Sequence, residues 1–146
     1  MKIYRNDPRS ENVQFRPPQT EKTMPQTKAV VLVVEDNFLV RMGAVEIVRV
    51  AGFEALEAGN ADEAIEILEA RPDIHLVFTD IEMPGTMDGI KLAHYIRGRW
   101  PPIKLMVASG KTIVDESALP EGSKFFRKPY SDNTIAAEMI RMIASQ

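Results

Sequence analysis

The stretch Val77-Phe78-Thr79-Asp80-Ile81-Glu82-Met83-Pro84 is an apolar run that rises to one carboxylate and stops. With Ile74 and Leu76 it forms a short block rich in β-branched and aromatic residues, the composition of a strand buried on both faces. Met83-Pro84-Gly85 then breaks the chain into a loop. Asp80 is therefore expected at the carboxyl end of a central strand, where open α/β sheets keep their ligand sites. A solvated aspartate at a strand end would read the same way in isolation, so the meaning of Asp80 depends on what the rest of the chain brings to it.

Before this stretch, Ala29 to Val34 is a continuous apolar run that reads as a buried parallel strand ending in Glu35-Asp36-Asn37. Phe38 to Ala51 reads as a largely apolar helix relieved by Arg41, Glu46 and Arg49, with Gly52 as its stop. Phe53 to Ala58 is a second strand whose Glu54 and Glu57 place it near an edge. Asn60 with Glu63 three residues later is a capping-box-like start for a helix that keeps Ala61, Ala64, Ile65 and Leu68 on one face and ends at Arg71-Pro72. After the central strand, Asp88 can cap a helix to about Arg99, with Ile90, Leu92, Ala93 and Ile96 inward and Trp100-Pro101-Pro102 closing it. Ile103 to Ala108 is a fourth strand, ending at Ser109-Gly110. Residues 111 to 123 are expected to form a poor, partly irregular helix, because Pro120 and Gly122 limit it. Phe125-Phe126-Arg127 is a short fifth strand running into Lys128-Pro129, and Ser131 caps a last helix with Ile135, Met139 and Ile143 on one face. Strand and helix alternate five times, which predicts an α/β fold, doubly wound about a five-stranded parallel sheet.

The composition is that of an ordinary globular domain: 146 residues, 45% hydrophobic and 27% charged, with a net charge of -3. Nothing in that balance suggests nucleic acid, and no apolar run approaches membrane-spanning length. There is no cysteine, which excludes disulfide and thiol chemistry and is compatible with the cytoplasm. Residues 1 to 28 carry six Lys or Arg against three Asp or Glu, and Pro8, Pro17, Pro18 and Pro25 interrupt any helix. They read as a flexible amino-terminal extension, with 29 to 146 as the folded domain. Ile3-Tyr4 and Val13-Gln14-Phe15 are the extension's candidate docking residues.

The chemistry lies in what ends each strand. Glu35 and Asp36 follow the first, Asp80 the third, Ser109 the fourth and Lys128 the fifth. Parallel strands put all of them on one edge of the sheet. Three carboxylates gathered there repel, at about 4 kcal/mol per pair for a 4 Å separation and an effective dielectric near 20. Such a cluster calls for a cation, and an all-oxygen donor set selects a hard one; Mg²⁺ (or Mn²⁺) fits, since it takes carboxylates, waters and a phosphate. The chain lacks the Lys-bearing glycine-rich loop that would cradle a nucleotide. A carboxylate nucleophile, Mg²⁺, a lysine and a hydroxyl suit phosphoryl transfer to Asp80, giving an aspartyl phosphate.

Four motifs stand in order: Val33-Val34-Glu35-Asp36-Asn37, Phe78 to Gly89 (FTDIEMPGTMDG), Val107-Ala108-Ser109-Gly110 and Phe125-Phe126-Arg127-Lys128-Pro129-Tyr130. Together they resemble the receiver domain of two-component response regulators, over about Ala29 to Ile143. The resemblance implies a flavodoxin-like, CheY-like fold of strand order 2-1-3-4-5. It implies that Asp80 is the phosphate acceptor and that Asp36 binds Mg²⁺ directly, Glu35 through water, with the backbone carbonyl of Glu82 as a further ligand. Ser109 matches the switch hydroxyl, Lys128 the lysine that pairs with the phosphoryl group, and Lys128-Pro129 a peptide bond that is cis in the family. Phe125 stands in the place of the switch aromatic and brings no hydroxyl. Glu82 and Lys111 flank the acceptor and are expected to modulate the lifetime of the phosphorylated state, pairing across the site to hinder an attacking water.

Two departures limit what carries over. The loop from Pro84 to Asp88 is one residue longer than in the chemotaxis protein, and the segment between Ser109 and Lys128 is shorter. Three rival functions share parts of the pattern. An Asp-nucleophile phosphatase would carry a second aspartate two residues after the first, but Phe38 stands two after Asp36. A flavin module would carry a Ser/Thr-rich phosphate loop after the first strand, and none is present. An interaction domain without phosphorylation would not need the full acid set. The expected function is a stand-alone receiver with no output domain. It would take its phosphoryl group from a histidine kinase or histidine phosphotransfer protein, and act on a downstream protein target or as a phosphate sink, with a homodimer possible. His75 and His94 read as surface residues rather than phosphorelay histidines.

Overall fold

The computed structural model describes residues 27–111 and 113–145. The extension expected at 1–28 lies almost wholly outside the described residues. The elements are β1 (Val30–Val34), α1 (Phe38–Val50), β2 (Glu54–Ala58), α2 (Ala61–Ala70), β3 (Ile74–Asp80), α3 (Gly89–Arg99), β4 (Lys104–Ser109), a 3₁₀ turn (Glu116–Ala118), β5 (Lys124–Arg127) and α4 (Asp132–Ala144). The strands form one parallel sheet in the order β2-β1-β3-β4-β5. This is the doubly wound, flavodoxin-like order expected from the sequence.

The alternation of side chains along β1 shows why both faces must be covered. Val30, Leu32 and Val34 enter one core with Ala64 and Leu68 of α2 and Leu92, Ala93 and Ile96 of α3. Val31 and Val33 enter the other, with Ala44, Val45 and Val48 of α1 and Ile135, Met139 and Met142 of α4. A strand buried on both faces cannot alternate polar and apolar residues, hence the unbroken Val-Val-Leu-Val-Val. β2 lies at the sheet edge, and its Glu54 and Glu57 are exposed, as expected.

Helix starts follow the caps read from the sequence at Asn60, Asp88 and Ser131, and the structure adds a fourth at Asn37. Asn37, Asn60, Asp88 and Ser131 each accept a hydrogen bond from a backbone N–H in the first turn of the helix they precede. The Glu63 carboxylate reaches back one residue further than in a standard capping box, accepting from Gly59 N–H at 2.7 Å rather than from Asn60. Two expectations shift in detail. In 111–123 only the 3₁₀ turn forms among the described residues, capped by Asp115; Leu119 ends it, and Gly122 at φ 86° turns the chain into β5. On α4 Met142 joins Ile135 and Met139 as fully buried, while Ile143 is half-buried. His75 and His94 are exposed, as expected of surface residues, although each makes one polar contact with a residue distant in the chain. His75 Nδ1 accepts from Val30 N–H at 3.1 Å, and His94 Nε2 lies 2.8 Å from the Ala118 carbonyl.

One close approach ties the fold to its functional edge. Gly89, the first residue of α3, is buried against the end of β3, and its N–H donates to the Ile81 carbonyl at 3.0 Å. A Cβ at this position would stand 2.0 Å from the Asp80 carbonyl oxygen and 2.7 Å from its carbon. The neighbour is backbone and cannot rotate away, so only glycine lets α3 begin here. Gly89→Ala is expected to cost about 1–3 kcal/mol of stability by overpacking and to displace Asp80. Urea unfolding should show the loss with an unchanged slope; a fully stable variant would remove this constraint.

Candidate functional site

Register places the site. Val34 pairs with Thr79, so Glu35 emerges beside Asp80; Asp80 pairs with Ala108, so Ser109 comes next on that side. Ser109 pairs with Arg127, and Lys128 N–H donates to the Ser109 carbonyl at 2.9 Å. The winding reverses between β1 and β3, the strands that carry the acids, which is the crevice where such sheets bind ligands.

The site is built from buried polar groups. Glu35 is 5% exposed, Asp80 6% and Ser109 0%. Asp36 is exposed at the rim. Ligand oxygens of Glu35, Asp36 and Asp80 lie within 4.8 Å of one another. Oxygens sharing one octahedral Mg²⁺ at 2.0–2.1 Å can be at most about 4.2 Å apart, so small rotations bring the set around a single ion. Asp80 Oδ1 is buried without a hydrogen bond, although Lys128 Nζ stands 3.2 Å away in an ion pair. One of the three Lys128 N–H groups is aligned on Glu35 Oε1, at 3.0 Å. An under-bonded buried carboxylate oxygen within an all-oxygen cluster fits a hard divalent cation.

Glu82 follows Asp80 by two residues and folds back over the site. Its carboxylate accepts from the Ser109 hydroxyl and, at 3.2 Å, from Gly110 N–H. Lys111 is exposed. Phe125 pairs in register with Val107 and packs half-buried against the first core, two residues before the level of Ser109. The Lys128-Pro129 peptide bond is cis.

Comparison with known proteins matches residues 31–140 to the family described as response regulator receiver domain. The chain belongs to that family. It is 37% identical over 123 residues to the sensor kinase CckA of Brucella abortus (strain 2308), covering 81% of this chain and 13% of that one. It is 38% identical over 105 residues to the transcriptional regulatory protein PdtaR of Mycobacterium tuberculosis (strain ATCC 25618 / H37Rv), covering 69% and 50%. The receiver thus spans half or less of each of these two curated relatives. Among solved structures it resembles the receiver domain of the hybrid histidine kinase CckA, with TM-score 0.67, 32% identity and coverage of 78% and 98%. The receiver domain of NtrX from Brucella abortus aligns with TM-score 0.72, 28% identity and coverage of 80% and 99%.

Several residues that hold the receiver's site together carried no chemical signal in the sequence. Arg41 reads there as a polar break in an apolar helix. In the fold its Nη1 donates to the Glu35 carbonyl at 2.7 Å and its Nε to Glu57 Oε1 at 3.1 Å, lashing the β1 loop to the end of β2. Tyr130 packs on Phe78 with ring centroids 5.7 Å apart, closing the site from behind. Thr79 is buried, its hydroxyl donating to the Asp80 carbonyl at 2.9 Å. Glu35 N–H donates to the Ala58 carbonyl, and Glu35 Oε2 accepts from Asn37 N–H at 3.1 Å. The Asp88-Gly89 pair was the one readable hint, a cap followed by a residue with no Cβ.

The electrostatics follow from burial. Desolvation pushes the Asp80 carboxyl up from 3.8 to about 6, the negative Glu35 adds to this, Lys128 pulls it back, and Glu82 adds a smaller push upward. Burial pulls the Lys128 ammonium down, but its bond to Glu35 and the charge of Asp80 outweigh that and hold it above its usual value. An acid whose pKa is higher in the folded chain than in the unfolded one favours folding at low pH and disfavours it once ionised. Asp80 is protonated in both states below about pH 4, and its cost appears as pH rises through about 6. Without divalent cations, Asp80→Asn should therefore be more stable than wild type at neutral pH, by about 2–3 kcal/mol. The advantage should fade through pH 6 and be gone below about pH 4. Urea unfolding of both proteins across that range checks this; a wild type that gains on the variant as pH rises would overturn it.

Proposed function

We propose that this chain is a phosphorylation-operated switch of a two-component system or phosphorelay, with Asp80 as the acceptor. The observation that carries the reading is the convergence of Glu35, Asp36, Asp80, Ser109 and Lys128 on one sheet edge, around a buried aspartate that lacks a full set of partners.

In the proposed reaction an Asp80 carboxylate oxygen attacks the phosphorus of a phosphohistidine. A P–O bond forms as the P–N bond breaks, and the imidazole leaves, taking a proton from solvent. Glu35, Asp36, Asp80 and the backbone carbonyl of Glu82 would hold Mg²⁺ (or Mn²⁺). When bound, the ion supplies positive charge against that of the transferring group. Lys128 is held by Glu35 with its ammonium facing Asp80, so it offers a second positive charge to the phosphoryl oxygens without having to move into place. Ser109 supplies a hydroxyl donor. The chain acts on its own phosphorylation and dephosphorylation and has no separate substrate.

The read-out couples Ser109 to Phe125. A phosphoryl group that draws Ser109 toward Asp80 leaves room for Phe125, and the surface formed by residues 111–123, β5 and α4 shifts with it. The donor is a histidine kinase or a histidine phosphotransfer protein. The recipient is a protein target that reads that surface, a second copy of the chain, or none if the chain serves as a phosphate sink. Nucleic acid and membrane play no part, and the site of action is the cytoplasm; among the described residues no helix is long and apolar enough to cross a membrane. Once phosphorylated, Glu82 and Lys111 flank the group and set its lifetime.

Intact mass after incubation with acetyl phosphate tests the chemistry. We expect a gain of one phosphoryl group that requires Mg²⁺ and is absent in Asp80→Ala. Absence of a gain, together with failure to bind beryllofluoride, would point instead to an interaction module that works without phosphorylation.

A further inference from the structure

The Ser109 hydroxyl and the Gly110 N–H are two donors aimed at one place, and in the unphosphorylated protein that place holds an anion. The anion is the Glu82 carboxylate, with one oxygen on each donor. Ser109 is fully buried, so its hydroxyl has no bulk water to turn to. A serine hydroxyl has one proton to donate, and here it is given to Glu82. Gly110 is exposed, but its N–H is likewise directed at Glu82.

We infer that Glu82 is an internal latch: its carboxylate occupies, before phosphorylation, the donor pair that would otherwise receive a phosphoryl oxygen. The inference rests on the reading of Asp80 as acceptor and names a regulation of that same site. Two charge arguments support it. Glu82 lies close enough to Asp80 for its charge to be felt at the Asp80 carboxyl. A phosphoryl group on Asp80 would replace the single carboxylate charge by up to two, carried further out toward the Ser109 and Gly110 donors. The latch must then release, because one hydroxyl proton cannot serve both anions and the two anions repel. An incoming anionic phosphodonor meets the same repulsion before any bond is made. Glu82 is thus a positioning residue, acting through Ser109 and Gly110. It raises the threshold for phosphorylation and holds the switch hydroxyl in a single place until then.

The length of the side chain is part of the device. Glu82 sits at the start of the loop after β3, where its backbone is fixed by the neighbouring Ile81 N–H bond to the Ala108 carbonyl at 2.9 Å. From there the glutamate arm reaches the carboxyl end of the neighbouring strand β4, at Ser109 and Gly110. An aspartate is one methylene shorter and would not reach both donors. A glutamine keeps one acceptor oxygen and loses the charge.

Two measurements on the full chain test the latch. The first is the rate of phosphorylation by acetyl phosphate with Mg²⁺, in wild type, Glu82→Ala, Glu82→Gln, Ser109→Ala and the double variant Glu82→Ala/Ser109→Ala. Glu82→Ala is expected to be faster by about fivefold, the size of one net hydrogen bond, with Glu82→Gln between it and wild type. In the Ser109→Ala background the gain should shrink, because one of the two donors of the latch is already gone. An unchanged or slower Glu82→Ala, or a gain of full size without Ser109, would overturn the latch. The second measurement needs no phosphorylation. The Gly110 amide proton resonance of the unphosphorylated protein should move upfield in Glu82→Ala and Glu82→Asp, as a bond to a carboxylate is lost. A Gly110 resonance that stays in place in both would overturn the inference even if the rates changed. Wild type that takes no phosphoryl group at all, with the Gly110 shift as expected, would remove the acceptor reading of Asp80 and leave the Glu82 contact standing.

Discussion

The structure turns on a buried carboxylate that the fold does not fully satisfy. Asp80 ends the central strand with Glu35 beside it, and the nearest compensating charge, Lys128, is shared between the two. Ionised carboxylates in such surroundings are costly, and the upward push on Asp80 expresses that cost. A protein selected only for stability would place an apolar or amide residue here. Retaining the acid makes sense when a cation and a phosphoryl group complete the site, since both act on the negative charge that the apo fold leaves exposed to repulsion.

The surrounding framework can be understood as holding that charge in place. The sheet register delivers each site residue to the same edge within one residue of its neighbours, a consequence of parallel pairing and not of any side-chain contact. Gly89 allows α3 to start directly against the Asp80 carbonyl, so the Asp80 backbone is clamped by a helix end. Arg41 ties the carbonyl of Glu35 to β2, and Glu35 in turn holds Lys128. A chain of hydrogen bonds thus runs from the edge strand to the lysine, and orients the ammonium before any ligand arrives.

The opposite side of the site is held more loosely. Among the described residues, 111–123 contain one short 3₁₀ turn where the other crossovers have full helices, and few apolar residues of that segment are buried; Leu119 is one. Local structure with little buried area opens at low free-energy cost. Ser109 lies at the junction between this loosely held segment and the rigid sheet, and Phe125 lies on the next strand, packed against the core without being sealed in it. The arrangement suits a signal that begins as a rearrangement of donors around Asp80 and emerges as a change in surface.

How much of this was legible in the chain depends on range. The unbroken Val-Val-Leu-Val-Val of β1, the caps at Asn60, Asp88 and Ser131, and the carboxylate closing β3 are local signals. Burial on two faces and helix capping act within a few residues, so the sequence alone determined the five strands, four of the helices and the identity of the acids, serine and lysine at the strand ends. The shared edge followed from parallel strands, and the strand order from the family resemblance of the motifs; the fold bears out both. What only the tertiary structure decided are contacts between residues far apart in the chain: Lys128 choosing Glu35 for its hydrogen bond across 93 residues, Glu82 turning to Ser109 across 27, and Arg41 reaching Glu57 across 16. Each depends on which of several nearby partners wins in a crowded, partly desolvated space. That competition is set by distances and burial that exist only once the sheet is assembled, and no spacing in the sequence encodes it.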